Sequence, residues 1–399
     1  MTPTAARPLV VFADDWGRHP SSCQHLIGKL LEHREIIWVN TIGTRPPRLD
    51  LSTLKRVAGK LKSWTGGTRK PQEFQRSEQQ SPRILSPKMW PSFHSRMARS
   101  LNRKLLLRAL RPAFGSLSQM PNVITTLPLV ADLVDELPAN RWTYYCVDDF
   151  SVWPGYDGET MAKMERDLLP KMNEVVAVSD TLVSHIGTFD KNAKLLTHGV
   201  DLDLWRHSQQ IELPEFSGLA SPFIVFWGVI DRRLDVSFVK HLASNLASGT
   251  MLFIGPQEDP DPELFALPRV KVLPAMPFVK LPAVAAAASV LVMPYADLPV
   301  TRAMQPLKLK EYLATGKPVV VRDLPATRPW AESCDVCPTK ESLTATVLQR
   351  LTTGVPAKQQ ADRTRLDSEG WQEKARQFEQ WVDGERVCTA IYHLRIRIS

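Results

Sequence analysis

Short apolar runs, each followed by residues at helical spacing, recur along the chain. Pro8 to Ala13 is the first run; polar, glycine-containing residues follow to Pro20, and a helical pattern opens near Ser21. Ser21 or Ser22 is placed to cap that helix, and Leu26, Ile27, Leu30 and Leu31 recur on one face before the apolar run Ile36 to Asn40. The pattern predicts a βαβ unit. It returns as predicted strands at Val123 to Leu127, Thr143 to Val147 and Val175 to Val178, with helical stretches from Val130 and from Asp180. The rhythm breaks near residues 205–220, where Pro214 and Pro222 stand in a polar stretch, and a fresh strand is predicted at Phe223 to Trp227.

The second half repeats the alternation, with strands at Met251 to Ile254, Val270 to Leu273, Val290 to Met293 and Pro318 to Val321. Helices fall near Leu281 to Ala288 and at Leu307 to Ala314. A last amphipathic helix, around Gly370 to Val382, places Trp371, Ala375, Phe378 and Trp381 on one stripe. The fold class is therefore α/β, with two Rossmann-like domains facing one another across a central cleft. The expected domains are 1–205 and 206–368, and residues 369–399 form a helix and tail that cross back to the first domain. A length of 399 residues suits two cores better than one.

In open parallel sheets, ligands bind outside the carboxyl ends of the strands, which directs the search to the loops there. Gly228 follows a strand directly and leads to Arg232 and Arg233, whose forked guanidinium groups suit paired phosphates. The competing reading is a surface salt bridge to Asp231 or Asp235. Pro306, Leu307 and Lys308 open a helix whose free N–H groups favour a phosphate, and Glu311, one turn on, offers a carboxylate for ribose hydroxyls. An ordinary i,i+3 pair is the alternative for Lys308 and Glu311. Asp148 and Asp149 follow a buried strand and are the candidate catalytic residues, placed to contact an acceptor hydroxyl; equally, one caps a turn and the other is solvated. Asp14, His19, Ser21 and Ser22 form the corresponding loop after the first strand.

The second half resembles the donor-binding domain of retaining GT-B glycosyltransferases of the family four group, and more narrowly those of teichuronic acid and exopolysaccharide gene clusters. The likeness rests on Gly228 with its arginine loop, Phe253-Ile-Gly255, the helix after Pro282, Val290 to Tyr295, and Glu311-Tyr-Leu-Ala-Thr-Gly-Lys-Pro-Val-Val. Val178-Ser179-Asp180 and His198-Gly199-Val200-Asp201 match more loosely. The resemblance implies that Glu311 binds the nucleotide ribose and that Arg232 or Arg233 holds the diphosphate. It implies a nucleotide-sugar donor, a glycan or lipid-linked acceptor, transfer with retention, and no metal or other cofactor. Three positions depart from the family: Ala303 stands where a glutamate usually lies near the transferred sugar, Val229 where an arginine follows the first glycine, and Arg18-His-Pro-Ser-Ser22 lacks paired glycines. These departures leave the donor sugar open. They also keep two alternatives in view, a sugar-nucleotide epimerase or hydrolase and a noncatalytic ligand-binding protein of the same fold.

Charge changes the picture in one place. Residues 48–111 carry sixteen Lys or Arg against Asp50, Glu73 and Glu78, although the whole chain is only +8. Between Ser92 and Leu110, Phe93, Met97, Leu101 and Leu105 fall near one helical face and Arg96, Arg99, Arg103, Lys104 and Arg108 populate the rest. That pattern suits either an anionic membrane surface or a domain face with leucines inward. Nucleic acid is not expected, because no recognition motif accompanies the charge. The N-terminus has no basic-then-apolar signal pattern, and five scattered cysteines argue against a disulfide framework. Cys334-Asp-Val-Cys337 lacks a second ligand pair for zinc. The expected location is the cytoplasm, with peripheral contact to the inner face of the membrane.

Overall fold

The computed structural model describes residues 6–17, 21–41, 81–206 and 211–384. His19 and most of the basic segment before residue 81 lie outside the described residues. Two sheets form, and every strand pair in both is parallel. The first contains β1 (Leu9–Ala13), β2 (Ile36–Asn40), β3 (Arg83–Leu85), β4 (Asn122–Thr125), β5 (Arg141–Cys146), β6 (Glu174–Ala177) and β7 (Lys194–Leu195). Its order is β3-β2-β1-β4-β5-β6-β7. The second contains β8 (Phe223–Trp227), β9 (Thr250–Ile254), β10 (Val270–Leu273), β11 (Val290–Met293), β12 (Val319–Arg322) and β13 (Asp335–Cys337), in the order β10-β9-β8-β11-β12-β13. Each order reverses direction once, between β1 and β4 and between β8 and β11. At such switch points the flanking loops diverge and open a crevice at the carboxyl ends of the strands.

The central strands are apolar throughout because helices cover both faces of each sheet. One core gathers buried residues from Leu9 to Leu196 together with Trp371, Ala375, Phe378, Trp381 and Val382. The other runs from Val200 to Leu366. The helix Trp371–Asp383 packs its apolar stripe into the core of the first sheet. Buried Arg34 fixes it there, donating from Nη1 to Glu379 Oε1 at 3.1 Å and from Nη2 to Asp383 Oδ1 at 2.9 Å.

Two local expectations are corrected. No helix follows Val130: Pro128–Val130 forms a single 3₁₀ turn, further turns follow, and Pro138 leaves no room for a longer element. The helix predicted between Ser92 and Leu110 is Arg96–Gly115, capped by Ser95, so Phe93 is not on it. Its buried face is Asn102, Leu106, Leu107, Leu110, Ala113 and Phe114, whereas Met97 and Leu101 point outward. Asn102 turns that face inward. Its side-chain amide accepts from Trp90 N at 2.7 Å and donates to Trp90 O and Ser92 O, docking the preceding loop onto the helix.

Candidate functional site

Gly228 follows β8 at φ 139 and Gly255 follows β9 at φ 156. A Cβ on Gly255 would stand 1.9 Å from Gly228 O, and one on Gly228 would stand 2.3 Å from Lys308 Nζ. Glycine at both positions therefore lets the two strand ends touch and lets Lys308 cross above them. The Lys308 ammonium lies 4.5 Å from the Phe226 ring and 5.0 Å from that of Tyr295, and it donates to Tyr295 Oη. The helix Leu307–Ala314 starts after Pro306 with no side-chain cap, so its first N–H groups remain available to an anion.

Glu311 stands one turn into that helix, and Trp227 Nε1 donates to its Oε2 at 3.3 Å. Burial pushes the Glu311 carboxyl up to about 7, while the Trp227 hydrogen bond and the Lys308 charge act in the opposite direction. Trp227 is itself held rigidly. It stacks on Trp205 at 5.4 Å and 4°, meets Tyr312 edge-on at 4.3 Å, and its backbone N donates to Tyr312 Oη at 3.0 Å.

The two candidate arginines separate in the structure. Arg232 is exposed and faces Asp261 at 3.3 Å and Asp259 at 3.9 Å, as a surface salt bridge would. Arg233 is only 8% exposed. Its Nε and Nη2 engage Asp231, whereas Nη1 meets the Met304 sulfur at 4.0 Å. Burial works against the Arg233 charge; Tyr295, Asp231 and Asp148 more than offset it and hold the guanidinium protonated.

From the first domain, Asp148 follows β5 and faces this arginine. Burial pushes its carboxyl up to about 8; Arg233 lowers it, and Asp14 and Asp149 add to the rise. Asp149 is engaged locally, with Oδ1 accepting from Ser151 N at 3.0 Å and Ser151 Oγ at 2.5 Å, an Asx turn. Asp14 follows β1 and has its backbone carbonyl bonded to Trp38 Nε1 at 2.9 Å. Ser21, not Ser22, caps its helix, accepting from Gln24 N at 3.3 Å, and Ser22 is buried. The structure therefore groups Asp14, Asp148 and Arg233 on one side and Gly228, Lys308 and Glu311 on the other. Ser21, Ser22, Asp149 and Arg232 have local structural work.

Three participants escaped the sequence reading. Trp227 ends β8 and orients Glu311. Trp153, five residues after Asp148, lies with its ring 4.9 Å from the Arg233 guanidinium carbon. Lys310 is 2% exposed and reaches the interdomain connection, where it bonds the His198 carbonyl and Thr197 Oγ1. His198, buried beside Lys310, His25 and Lys374, has its imidazole pushed down to about 3. A signal for Trp153 existed, an aromatic side chain in a loop at the carboxyl end of a strand. Ala303 packs into the first domain's core, and its carbonyl accepts from Ser179 Oγ at 2.8 Å. Among the described residues no cluster of three or more His, Cys, Asp or Glu is arranged to hold a metal.

Comparison with known proteins sharpens the fold. The sucrose-phosphate synthase of Thermosynechococcus elongatus superposes with a TM-score of 0.66 at 15% identity, covering 95% of this chain and 98% of that one. Anabaena Alr3699/HepE, solved in complex with UDP and glucose, gives 0.64 at 11% identity, covering 94% and 99%. An E. coli trehalose-6-phosphate protein bound with UDP-2-fluoro glucose also gives 0.64 at 11%, covering 94% and 98%. The architecture is thus GT-B, two parallel-sheet α/β domains with the cleft between their switch points. In sequence, the chain is 33% identical over 136 residues to a Bacillus subtilis (strain 168) protein provisionally named teichuronic acid biosynthesis glycosyltransferase TuaH. The match spans 33% of this chain and 34% of that relative, about a third of its length. No protein-family model matches the chain.

Proposed function

We propose that this chain is a glycosyltransferase that moves a sugar from a nucleoside-diphosphate donor to a glycan or lipid-linked acceptor, with retention and without a metal. The observation that carries the reading is the Glu311 site, where a carboxylate oriented by Trp227 sits one turn inside an uncapped helix start, beside Lys308 and the Gly228–Gly255 contact. A ribose offers two hydroxyls to such a carboxylate, and a diphosphate would reach the helix N-terminus, Lys308 and Arg233. Those positive groups stabilise the charge that grows on the leaving diphosphate as the glycosidic bond breaks. Asp148 enters from the opposite domain as the group that contacts the acceptor hydroxyl. The Bacillus subtilis relative named for glycosyl transfer, and the neighbour solved with UDP and glucose, support the same assignment.

The reading extends to placement in the cytoplasm, against an anionic membrane surface. Met97 is 84% exposed and Trp90 52%, and Arg96, Lys104 and Arg108 beside them have no ion pair among the described residues. An apolar and basic face of this kind supports peripheral lipid contact. Among the described residues no helix is long and apolar enough to cross a membrane.

Calorimetric titration with UDP and GDP tests the donor site. Glu311→Ala is expected to weaken the nucleotide that binds by about tenfold or more, the loss of a charge-assisted pair of hydrogen bonds. Equal affinity in the two proteins would remove the assignment of Glu311. A nucleotide-binding protein that transfers no sugar to any acceptor would favour the noncatalytic alternative, for which Ala303 speaks.

A further inference from the structure

Arg233 is buried, yet its hydrogen bonding is lopsided. Asp231, two residues away, takes the Nε and Nη2 edge with contacts of 2.9 and 2.8 Å. Among the described residues Nη1 meets no oxygen within hydrogen-bonding distance; the Met304 sulfur at 4.0 Å is a weak acceptor for a cation's N–H groups. The guanidinium carbon lies over the Trp153 ring, 4.9 Å from its centroid, and Trp153 belongs to the opposite domain. Arg233 is thus oriented from two sides while one edge, rich in donors, is left for an anion.

The Trp153 loop is constructed to stay in place. Asp149 closes its first turn, with Val152 N donating to Asp149 O at 3.3 Å, and Tyr156 N donates to Trp153 O at 3.2 Å to close the second. The loop lies directly on Gly158, where a Cβ would stand 2.1 Å from Ser151 O. Phe150 contacts both Trp153 and Tyr156, at ring separations of 6.4 and 5.5 Å. An indole on so fixed a loop reaches Arg233 only when the two domains stand together. Ser179 Oγ and Thr181 Oγ1 of the first domain, bonded to Ala303 O and Arg302 O, mark that closed arrangement.

From this geometry we infer that Trp153 is a positioning residue for the donor diphosphate: by stacking on Arg233 across the cleft, it aims the open Nη1 edge at the phosphate next to the transferred sugar. The inference rests on the donor reading of the cleft. Cation–π stacking holds the plane of the guanidinium, and the plane decides where a bidentate phosphate contact falls. Arg232, whose charge is spent on Asp259 and Asp261 at the surface, has no such role. Because the loop follows Asp148, the residue placed at the acceptor hydroxyl, the phosphate grip and the acceptor side are set by one segment of chain.

The test compares diphosphate with monophosphate. Titrating the full chain with UDP, UMP, GDP and GMP gives, for the base that binds, the factor contributed by the second phosphate. In Trp153→Ala that factor is expected to fall about tenfold with monophosphate affinity unchanged, and in Trp153→Phe, which keeps a ring over Arg233, most of it returns. A merely structural loss would lower both affinities together and would not be rescued by phenylalanine. An unchanged diphosphate-to-monophosphate ratio in Trp153→Ala overturns the inference while leaving the donor reading intact. A wild-type chain that binds none of the four nucleotides removes both.

Discussion

Glu311 shows how much one side chain's surroundings can be asked to predict. Its carboxyl is pushed up to about 7 by burial, from an ordinary value of 4.5. A group raised in the folded state contributes stability that is complete below the ordinary value and is lost as pH rises through the folded one. The ligand-free protein is therefore expected to lose thermal stability between about pH 5 and about pH 8, and Asp148, pushed up to about 8, adds in the same direction. Glu311→Gln stays neutral throughout, so its melting temperature should fall less over that window. A scan of melting temperature against pH for the two proteins decides it, parallel curves being the adverse result. Nucleotide affinity should run the other way, rising with pH as the ionised carboxylate becomes the better acceptor for ribose hydroxyls. The position of Glu311 was legible because the Gly316-Lys-Pro318 stop fixes the helix that carries it, and helix spacing then puts it one turn from the start. Its partner Trp227 was hidden in an apolar run, where a residue at the end of a strand looks like any other core residue. Arg233 could not be told from Arg232 by sequence, since what separates them is Trp153, 80 residues away and in the other domain.

At the scale of single elements, strands inside the sheets read well and most edges did not. Phe223–Trp227 and Val290–Met293 fall where continuous apolar runs place them, because both faces of those strands are covered; Val270–Leu273, at an edge with Lys271 exposed, was legible from the apolar residues that alternate with the lysine. β3 and β13, three residues each at sheet edges, carry charged residues and gave no pattern. The helix Arg96–Gly115 was ambiguous for a different reason. The four-residue spacing of Met97, Leu101 and Leu105 left a membrane-facing and a core-facing reading open; the structure turns Met97 and Leu101 outward and takes the polar Asn102 inside with Leu106, Leu107 and Leu110, where it partners the backbone groups of the loop at Trp90 and Ser92. Asn102→Ala should leave Trp90 N–H and Ser92 C=O without those partners, at a cost of about 2 kcal/mol. Urea unfolding would show this as a lower midpoint at constant slope. An unchanged midpoint would mean that water replaces the amide and that the loop is held by Phe93 and Met89, which are buried beneath it.

The whole molecule turns on the connection between its domains. There the Thr197–Val200 segment and residues 369–370 run side by side, with Val200 N donating to Glu369 O at 2.9 Å and Val200 paired with Gly370. Gly199 admits the Trp371 ring, since a Cβ there would stand 2.7 Å from it. Lys310 joins this crossing from the donor helix. Its ammonium, pushed down to about 8 chiefly by burial, reaches Glu369 Oε2 at 2.5 Å, and Lys374 holds the same oxygen at 2.8 Å. The two partners are not equivalent. Glu369 would keep Lys374 if Lys310 were lost, whereas Lys310 has no second carboxylate partner among the described residues. Breaking a buried pair is costly mainly through the charge left behind, and replacing a buried ion by an apolar side chain of similar volume is often tolerated. Glu369→Gln is therefore expected to destabilise the protein by roughly 3 kcal/mol, and Lys310→Met to fall within about 1 kcal/mol of the wild type. Scanning calorimetry would register the first as a melting temperature lower by several degrees and the second as little change. The reverse order would show that the lysine's bonds to Thr197 and the His198 carbonyl, not its charge, hold the hinge. With Lys310→Met stable but no longer tied to the crossing, the helix bearing Lys308 and Glu311 would be held against the first domain by the Trp153 contact with Arg233 and by the Ser179 and Thr181 bonds to Ala303 and Arg302, which then resist opening of the cleft.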